Sequence, residues 1–464
     1  MSHHLPDELP SATIRIAFWT LGCRLNQYDT EGMKTAMRDR GGIEIVPWDE
    51  PADVYVLNSC TVTGKADQEC RRLARQVKRR QPESKVVVAG CYAQTQPERL
   101  SEVLEVDGII GNNLKDDVAA WLPAVLKTDS PLIRVQDFTH NSTFTTPSIT
   151  DFGGRSRAFV KVQDGCDLRC AYCLIWRARG PSRSRPLAAV LAQVTHLVSS
   201  GYREIVLAGI HLGFYGRDLD GSDGPDGSDG LIGLLRAVLT DFPDLRIRLS
   251  SLHPDEITPE LLGLCSDQPR IRPHLHISLQ SGSDAVLHAM RRPYDSEQAR
   301  QSIEAAALHL PACGIGADII VGFPGESDDD FATTCAFVES LPFSYLHVFR
   351  YSPRPGTVAA ERKDQVHPET VTERSRRLRR LAAGKREAFL QSLLGQWREA
   401  VVESRSEAGD LRQATTDNYA PVLVPDRWPA GSLVRVRPVA VVAGCLSAAA
   451  VELCKPVNPE PEGG

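Results

Sequence analysis

"DGCDLRCAYCLIWRARG", from Asp164 to Gly180, places Cys166, Cys170 and Cys173 within one short run. Disulfide frameworks take cysteines in pairs, and a structural zinc site takes four ligands. Three thiolates leave one corner of a 4Fe–4S cluster without a protein ligand, and an open iron allows a small molecule to chelate the cluster. The alternative is a zinc ion with a remote fourth ligand. The run follows "AFVKVQ" (Ala158 to Gln163), an apolar stretch that reads as a strand. The thiols would then sit at a strand's C-terminal end, the face on which βα barrels build their sites.

Working outward, that strand opens a series of six strand-plus-helix units: "AFVKVQ", "EIVLAG", "RIRLSS", "HLHISLQ", "GADIIVGF" and "YLHVFRY". A right-handed array of six predicts a partial (βα)6 barrel that does not close, over residues 155–388. Upstream, "TIRIAFWT", "DVYVLNS", "KVVVAG" and "DGIIGN" are buried strands in character. They alternate with amphipathic stretches, Gln27 to Arg40 and Ala66 to Arg80. This βαβα pattern predicts a flavodoxin-like parallel-sheet domain over residues 12–126. Residues 127–154 are polar and read as a linker. Downstream, "REAVVESR", "APVLVPDR", "SLVRVRPVAVV" and "LSAAAVEL" predict a small β-barrel over residues 392–456. "DLDGSDGPDGSDG" (Asp218 to Gly230) is acidic and low in complexity, and reads as a flexible loop carrying no site. The chain is thus α/β with a β appendage, and it shows no internal repeat.

Length and composition agree. At 464 residues the chain exceeds one core, and its apolar and charged fractions are ordinary for a soluble enzyme. No apolar run is long enough to span a membrane, and no secretion signal opens the sequence, so the expectation is a cytoplasmic protein with no membrane partner. Residues up to about Ser11 read as disordered. Twelve cysteines in such a chain imply a reducing compartment, where clustered thiols serve metals or catalysis. The net charge of −6 does not by itself favour nucleic acid, but the charge is unevenly spread.

Three further cysteines stand apart. Cys23 closes "FWTLGC", Cys60 closes "VYVLNSC" and Cys91 closes "VVVAGC". Each ends an apolar strand, so all three lie at the carboxyl edge of one parallel sheet, where such sheets bind ligands. The alternative is three buried structural thiols. Cys70 in a basic helix, Cys265, Cys313 and Cys335 on helices of the second segment, and Cys445 and Cys454 in the tail read as structural.

Cys-x3-Cys-x2-Cys with an aromatic, Tyr172, before the last cysteine resembles the radical S-adenosylmethionine (SAM) superfamily. "ARGPSRSRP", "EIVLAGIHLGFYG", "LQSGSD", "GADIIVGFPGESDDDF" and "FRYSPRPGT" are similar, in order, to its methylthiotransferase branch. The resemblance covers nearly the whole chain. It implies that SAM chelates the open iron of a 4Fe–4S cluster on Cys166, Cys170 and Cys173, and that one electron from an external reductant cleaves it to a 5′-deoxyadenosyl radical. It implies a second 4Fe–4S cluster on Cys23, Cys60 and Cys91, holding the sulfur that a first SAM methylates. No catalytic side chain beyond the clusters is implied.

The branch divides by substrate. "TLGCRLNQYDTE", "NSCTVTGKAD" and "AGCYAQTQPE" look most like enzymes that act on tRNA bearing N6-threonylcarbamoyladenosine, at adenosine 37 of the anticodon stem-loop. "TTDNYAPVLVP" (Thr415 to Pro425) looks like the RNA-binding TRAM barrel of that type, which makes Asn418 and Tyr419 RNA-binding candidates. The runner-up is the enzyme for isopentenyladenosine tRNA; a different class is a non-catalytic RNA-binding iron–sulfur redox protein. Nucleoside analysis separates the first two, and SAM cleavage under reduction separates the third.

"VTERSRRLRRLAAGKRE" (Val371 to Glu387) holds seven basic residues against two acidic. Arg376, Arg377, Arg379 and Arg380 form a basic helical face suited to phosphate; the competing reading is a solvated helix face. A second basic run, "ECRRLARQVKRRQ", follows Cys60. For SAM the resemblance points to Tyr172, Gly209, Gln280, Ser281 and Gly322, with Arg183 and Arg185 as partners for its carboxylate or for RNA phosphate. His211 reads as a hydrogen-bonded loop residue rather than a ligand. The chain departs from the family at Trp176-Arg177, usually Pro-Tyr, and at His253, usually Glu.

Overall fold

A computed structural model describes residues 13–454 except 129, 140–143, 145–147, 220–229 and 408–409. The N-terminal stretch expected to be disordered and most of the acidic loop lie outside the described residues. The chain divides into two compact units.

The first unit takes residues 1–150, 163–183 and 352–357. Its sheet has six strands: β1 (Ile14–Thr20), β2 (Ile43–Val46), β3 (Val54–Ser59), β4 (Lys85–Gly90), β5 (Gly108–Ile110) and β6 (Leu132–Arg134). The order is β2-β1-β3-β4-β5-β6 and every pair is parallel. The reversal at β1 gives the flavodoxin-like order expected from the sequence. β3 is buried along its whole length because helices cover both faces. Met33 and Met37 of helix Arg24–Arg40 pack with Ile16, Val54 and Val56 on one side. Leu73, Ala74 and Val77 of helix Gly64–Arg80 pack with Tyr55, Leu57 and Val88 on the other. Two strands escaped the sequence reading. β2 is short and mostly half-exposed, so its pattern is weak. β6 falls inside the stretch read as linker, and that reading is corrected there: three residues of it pair with β5.

The cysteine loop of this unit lies between two-residue strands, β8 (Gln163–Asp164) and β9 (Arg183–Ser184), and follows β7 (Ala158–Lys161) in sequence. β7 opens the second unit, which takes residues 151–162, 184–351 and 358–464. Its other parallel strands are β10 (Glu204–Ala208), β11 (Arg246–Leu249), β12 (Ser251–Leu252), β13 (His274–Gln280), β14 (Gly314–Val321) and β15 (Tyr345–Arg350). They pair as β11-β10-β7 and β12-β13-β14-β15, and only Ser250 separates β11 from β12. This is the open six-membered arc that the sequence predicts.

The C-terminal segment closes into a barrel of five strands, β16 (Arg398–Glu407), β17 (Leu411–Thr416), β18 (Pro421–Pro425), β19 (Leu433–Val442) and β20 (Cys445–Leu453), in the order β16-β17-β18-β20-β19. β17, "LRQATT", is too polar to announce itself. Leu390 and Leu393, at the end of helix Pro368–Ser392, enter this barrel's core. A buried ion cluster joins it to the βα array. Glu204 accepts from Arg248 Nε at 3.0 Å and from Arg272 Nε at 2.9 Å, and Arg248 also donates to the Thr416 and Asp417 carbonyls. Burial alone would raise the Glu204 pKa, but the arginines hold it down at about 2. No helix among the described residues is long and apolar enough to cross a membrane. Asp218 is no part of a loose loop: its carboxylate accepts from the Ser184 amide and hydroxyl at 2.8 and 2.5 Å. Cys313 precedes β14 rather than lying on a helix.

Candidate functional site

Cys60 and Cys91 follow directly on β3 and β4, and Cys23 follows β1 after Leu21 and Gly22; the three strands are neighbours. The sheet therefore brings together residues far apart in sequence. Backbone geometry brings them closer. Gly22 has φ +95°, and a Cβ there would stand 2.7 Å from Cys60 Cβ and 2.8 Å from its sulfur. At Gly90, with φ +97°, a Cβ would meet the side-chain Oδ1 of Asn58 at 2.5 Å and the Ser59 carbonyl at 2.8 Å. Only glycine suits either position.

Asn26, fully buried, fastens the edge. Its amide donates to the Leu21 and Ser59 carbonyls at 2.8 and 2.9 Å, tying the loop before Cys23 to the end of β3. Asn112 donates to Cys91 Sγ at 3.2 Å and to the Ala178 carbonyl at 2.6 Å. The Val62 amide points at Cys60 Sγ from 3.5 Å. Cys60 and Cys91 are buried, and Cys23 is exposed as a whole residue while its thiol lies among packed atoms. Burial raises the Cys23 thiol pKa, with Arg179 opposing, and pushes Cys60 up to about 12.

Arg179 belongs to the cysteine loop and is 1% exposed. It donates to both oxygens of Asp164 at 2.9 and 3.0 Å, to Asn26 Oδ1 at 2.6 Å and to Asp29 Oδ2 at 2.9 Å. Lys115 also binds Asp29. The loop bearing Cys166, Cys170 and Cys173 is thereby fixed to the sheet edge bearing the other three thiols. Within the loop, Cys166 N donates to the Gly180 carbonyl, Cys173 N to the Cys170 carbonyl, and the Ile175 amide points at Cys173 Sγ from 3.4 Å. Arg354, from the "YSPRPGT" stretch, supports the loop after Cys60 through Thr61 Oγ1 at 3.0 Å and Asp67 at 2.5 Å. None of Asn26, Asp29, Asn112, Lys115, Asp164, Arg179, Asp67 and Arg354 was singled out in the sequence. The one available signal was a charge at each end of the cysteine run, Asp164 and Arg179.

The donor sets fit iron–sulfur clusters better than zinc. A structural zinc takes four protein ligands, whereas each of these sets offers three thiolates. A cluster spreads its thiolates because each binds a different iron. Cys70, Cys265 and Cys313 are buried, and desolvation pushes their thiols up to about 12.

The remaining candidates divide. In the second unit Gly209 ends the second strand of the array, its amide donating to Ser250 Oγ at 3.3 Å. Gln280, at φ +70°, ends β13 in a backbone conformation rare outside glycine, a strain that collects at functional sites. The Ser281 hydroxyl is paired with Thr334 Oγ1 at 3.1 Å, and the Gly322 amide donates to the Glu326 carboxylate, which Arg374 also holds. His211 Nε2 lies 2.5 Å from Glu256 Oε1 and its ring stacks on Phe214. His253 lies against it at 4.2 Å, and burial pushes the His253 pKa far down, aided by Arg292 and His211. In the first unit Tyr172 is half-buried, Arg183 donates to the Arg179 carbonyl, and Trp176 carries the guanidinium groups of Arg169 and Arg177 at 4.7 and 4.8 Å. Arg185 is buried in the second unit.

Arg376, Arg377, Arg379 and Arg380 are all exposed on helix Pro368–Ser392, while Arg374 turns inward to Glu326. Asn418 is fully buried. It donates to the Ala312 carbonyl at 2.9 Å and accepts from Thr416 Oγ1, so it secures a turn. Tyr419 stacks on His274 at 4.3 Å. The second basic run spends much of its charge locally, on Glu69, Tyr92, Glu105 and Asp107.

Two thiol triads, one on a parallel-sheet edge and one in a loop that follows the first strand of an open βα array, define a radical SAM enzyme with an additional N-terminal cysteine domain. Residues 15–111 match the model of the uncharacterized protein family UPF0004, and residues 160–338 that of the radical SAM superfamily. The threonylcarbamoyladenosine tRNA methylthiotransferase MtaB of Aquifex aeolicus is 36% identical over 91% of this chain and 100% of its own length. That of Bacillus subtilis is 35% identical over 88% of this chain and 90% of its own. The radical SAM methyltransferase TsrM of Kitasatospora setae, solved with cobalamin and a 4Fe–4S cluster, has the same fold at a TM-score of 0.55 and 14% identity, covering 75% of this chain and 77% of that one. The chain belongs to the threonylcarbamoyladenosine tRNA methylthiotransferase family.

Proposed function

We propose that the protein replaces the hydrogen on carbon 2 of N6-threonylcarbamoyladenosine, at adenosine 37 in the anticodon stem-loop of tRNA, with a methylthio group. The observation that carries this reading is the gathering of Cys23, Cys60 and Cys91 at three adjacent strand ends, in a chain that also holds Cys166, Cys170 and Cys173. Cys166, Cys170 and Cys173 would hold the cluster that binds SAM, and Cys23, Cys60 and Cys91 the cluster that carries sulfur. When bound, the two clusters and SAM supply the radical and the sulfur that no side chain can provide at an aromatic C–H bond. The chain's own part is placement. Asn26 and Asn112 fix the thiols of the sheet edge, and Arg179 fixes the second triad's loop to that edge. Arg179 also offsets the charge that thiolates would bring.

The exposed arginines of helix Pro368–Ser392 would neutralise RNA phosphates. A single-stranded loop presents unstacked bases that can enter a pocket. An external one-electron reductant and a cytoplasmic location complete the reading. The test is mass spectrometry of nucleosides from threonylcarbamoylated tRNA incubated anaerobically with reconstituted protein, SAM, sulfide and a reductant. The expected product is 2-methylthio-N6-threonylcarbamoyladenosine. Methylthiolation of isopentenyladenosine tRNA instead would move the protein to the sister group.

A further inference from the structure

The inward face of the βα array carries a line of polar rings. Along β13, Leu275, Ile277 and Leu279 are buried, and His274 and His276 alternate with them. On β14 the alternation puts Gly314, Gly316 and Asp318 on that inward face, and on β15 Tyr345 and His347. The contacts are close: His274 Nε2 to Tyr345 Oη 2.8 Å, Tyr345 Oη to His276 Nδ1 3.0 Å, His276 Nε2 to Asp318 Oδ1 2.9 Å, and His347 Nδ1 to the same oxygen 3.1 Å. A Cβ on Gly316 would stand 2.0 Å from the Tyr345 ring, so this glycine makes room for the line.

Burial would raise the Asp318 pKa, but hydrogen bonds from His276 and His347 hold it down at about 2. The carboxylate is therefore ionised and only accepts. Both nitrogens facing it must then carry hydrogen. In neutral imidazoles that leaves His276 Nδ1 as the acceptor for the Tyr345 hydroxyl, and His347 Nε2 as an acceptor. Every one of these four short contacts has a donor and an acceptor, so the five groups need no metal ion to hold them. The line runs from a buried end, where Tyr419 stacks on His274, to His347, whose side chain is 54% exposed. A carboxylate that fixes one imidazole nitrogen and presents the other is the arrangement that sets a histidine's tautomer for contact with a ligand.

We infer that His347 is the side chain of the barrel interior that meets the substrate nucleoside, its Nε2 accepting an N–H of the urea group that joins threonine to the purine, with Asp318 and His276 as positioning residues. The inference rests on the proposed substrate. Of the urea's two N–H groups one is on N6, where adenosine also has a donor, and the other is on the threonine nitrogen, which adenosine lacks, so an acceptor in the lumen placed to meet the second selects for the modified base. The line also explains why the lumen is polar at this depth when the opposite faces of the same strands are apolar.

The test compares binding of two anticodon stem-loop RNAs, one with threonylcarbamoyladenosine and one with adenosine, to the cluster-loaded protein. Wild type should prefer the modified RNA. His347→Ala should reduce that preference about tenfold, as loss of one hydrogen bond predicts. His347→Gln, which keeps an acceptor, should restore part of it. Asp318→Asn should lower the preference in the same direction, because an amide can donate to Nδ1 and turn Nε2 into a donor. Equal affinity of wild type for the two RNAs, or an unchanged preference in folded His347→Ala, overturns the inference. Methylthio product from the same wild-type preparation tests the proposed function separately, so the two can fail independently.

Discussion

Cys170→Ala protein, under reduction, forms no 5′-deoxyadenosine from SAM, whereas Cys60→Ala protein still forms it and fails only to make the methylthio nucleoside. Each step needs a cluster with one vacant iron, and each triad leaves one. Cys60 is buried at the end of β3 and Cys170 lies in the loop between β8 and β9, so removing one leaves the other triad's backbone supports in place. The Cys170 support is the Cys173 amide on the Cys170 carbonyl, and the backbone beside Cys60 is held by Asn26, which donates to the Leu21 and Ser59 carbonyls. A paired assay reads both products from one reaction. Both should fall to background in Cys170→Ala, and only the nucleoside should do so in Cys60→Ala. Loss of 5′-deoxyadenosine in Cys60→Ala with the loop cluster intact would reverse the division of labour.

Arg179→Ala has the second largest expected effect, and it acts on stability as well as on activity. The side chain is 1% exposed and neutralises Asp164, while sharing Asp29 with Lys115. Its removal takes away the guanidinium that the buried Asp164 and Asp29 share, and breaking a buried ion pair typically costs about 3–5 kcal/mol. For a unit of this size that corresponds to a fall in its melting temperature of about 10 °C. Asn26 loses the donor on its Oδ1, so the loop before Cys23 loosens with it. Thermal unfolding followed by circular dichroism, with iron analysis of the same sample, should show a lower transition and less iron. Arg179→Lys should recover part of the stability, since a lysine reaches one carboxylate but not two. A melting curve and iron content equal to wild type would remove Arg179 from its role at the sheet edge.

Much of this was legible in the sequence because it depends on local pattern. Apolar runs closed by Cys23, Cys60 and Cys91 mark strand ends, and the parallel sheet then forces them to one edge. The six-unit array and the small barrel follow from the same periodicity. What stayed hidden depends on long-range pairing. β6 is three residues in a polar stretch, and only its bonds to β5 make it a strand. Asn26 and Arg179 act across 153 positions of sequence, and nothing in the local pattern of either marks them as partners. Asn418 sits in a stretch that suggests RNA contact, yet its amide is occupied by the Ala312 carbonyl. The arginine face of helix Pro368–Ser392 was readable because exposure on a helix follows spacing, with Arg374 and Leu378 turned inward.

The central claim is that two independent triads each hold a four-iron cluster. Iron per chain after anaerobic reconstitution tests it most directly. Wild type should hold about eight irons, and a protein with both Cys170→Ala and Cys173→Ala about four. About four irons in wild type, or zinc bound in place of iron, would contradict the account.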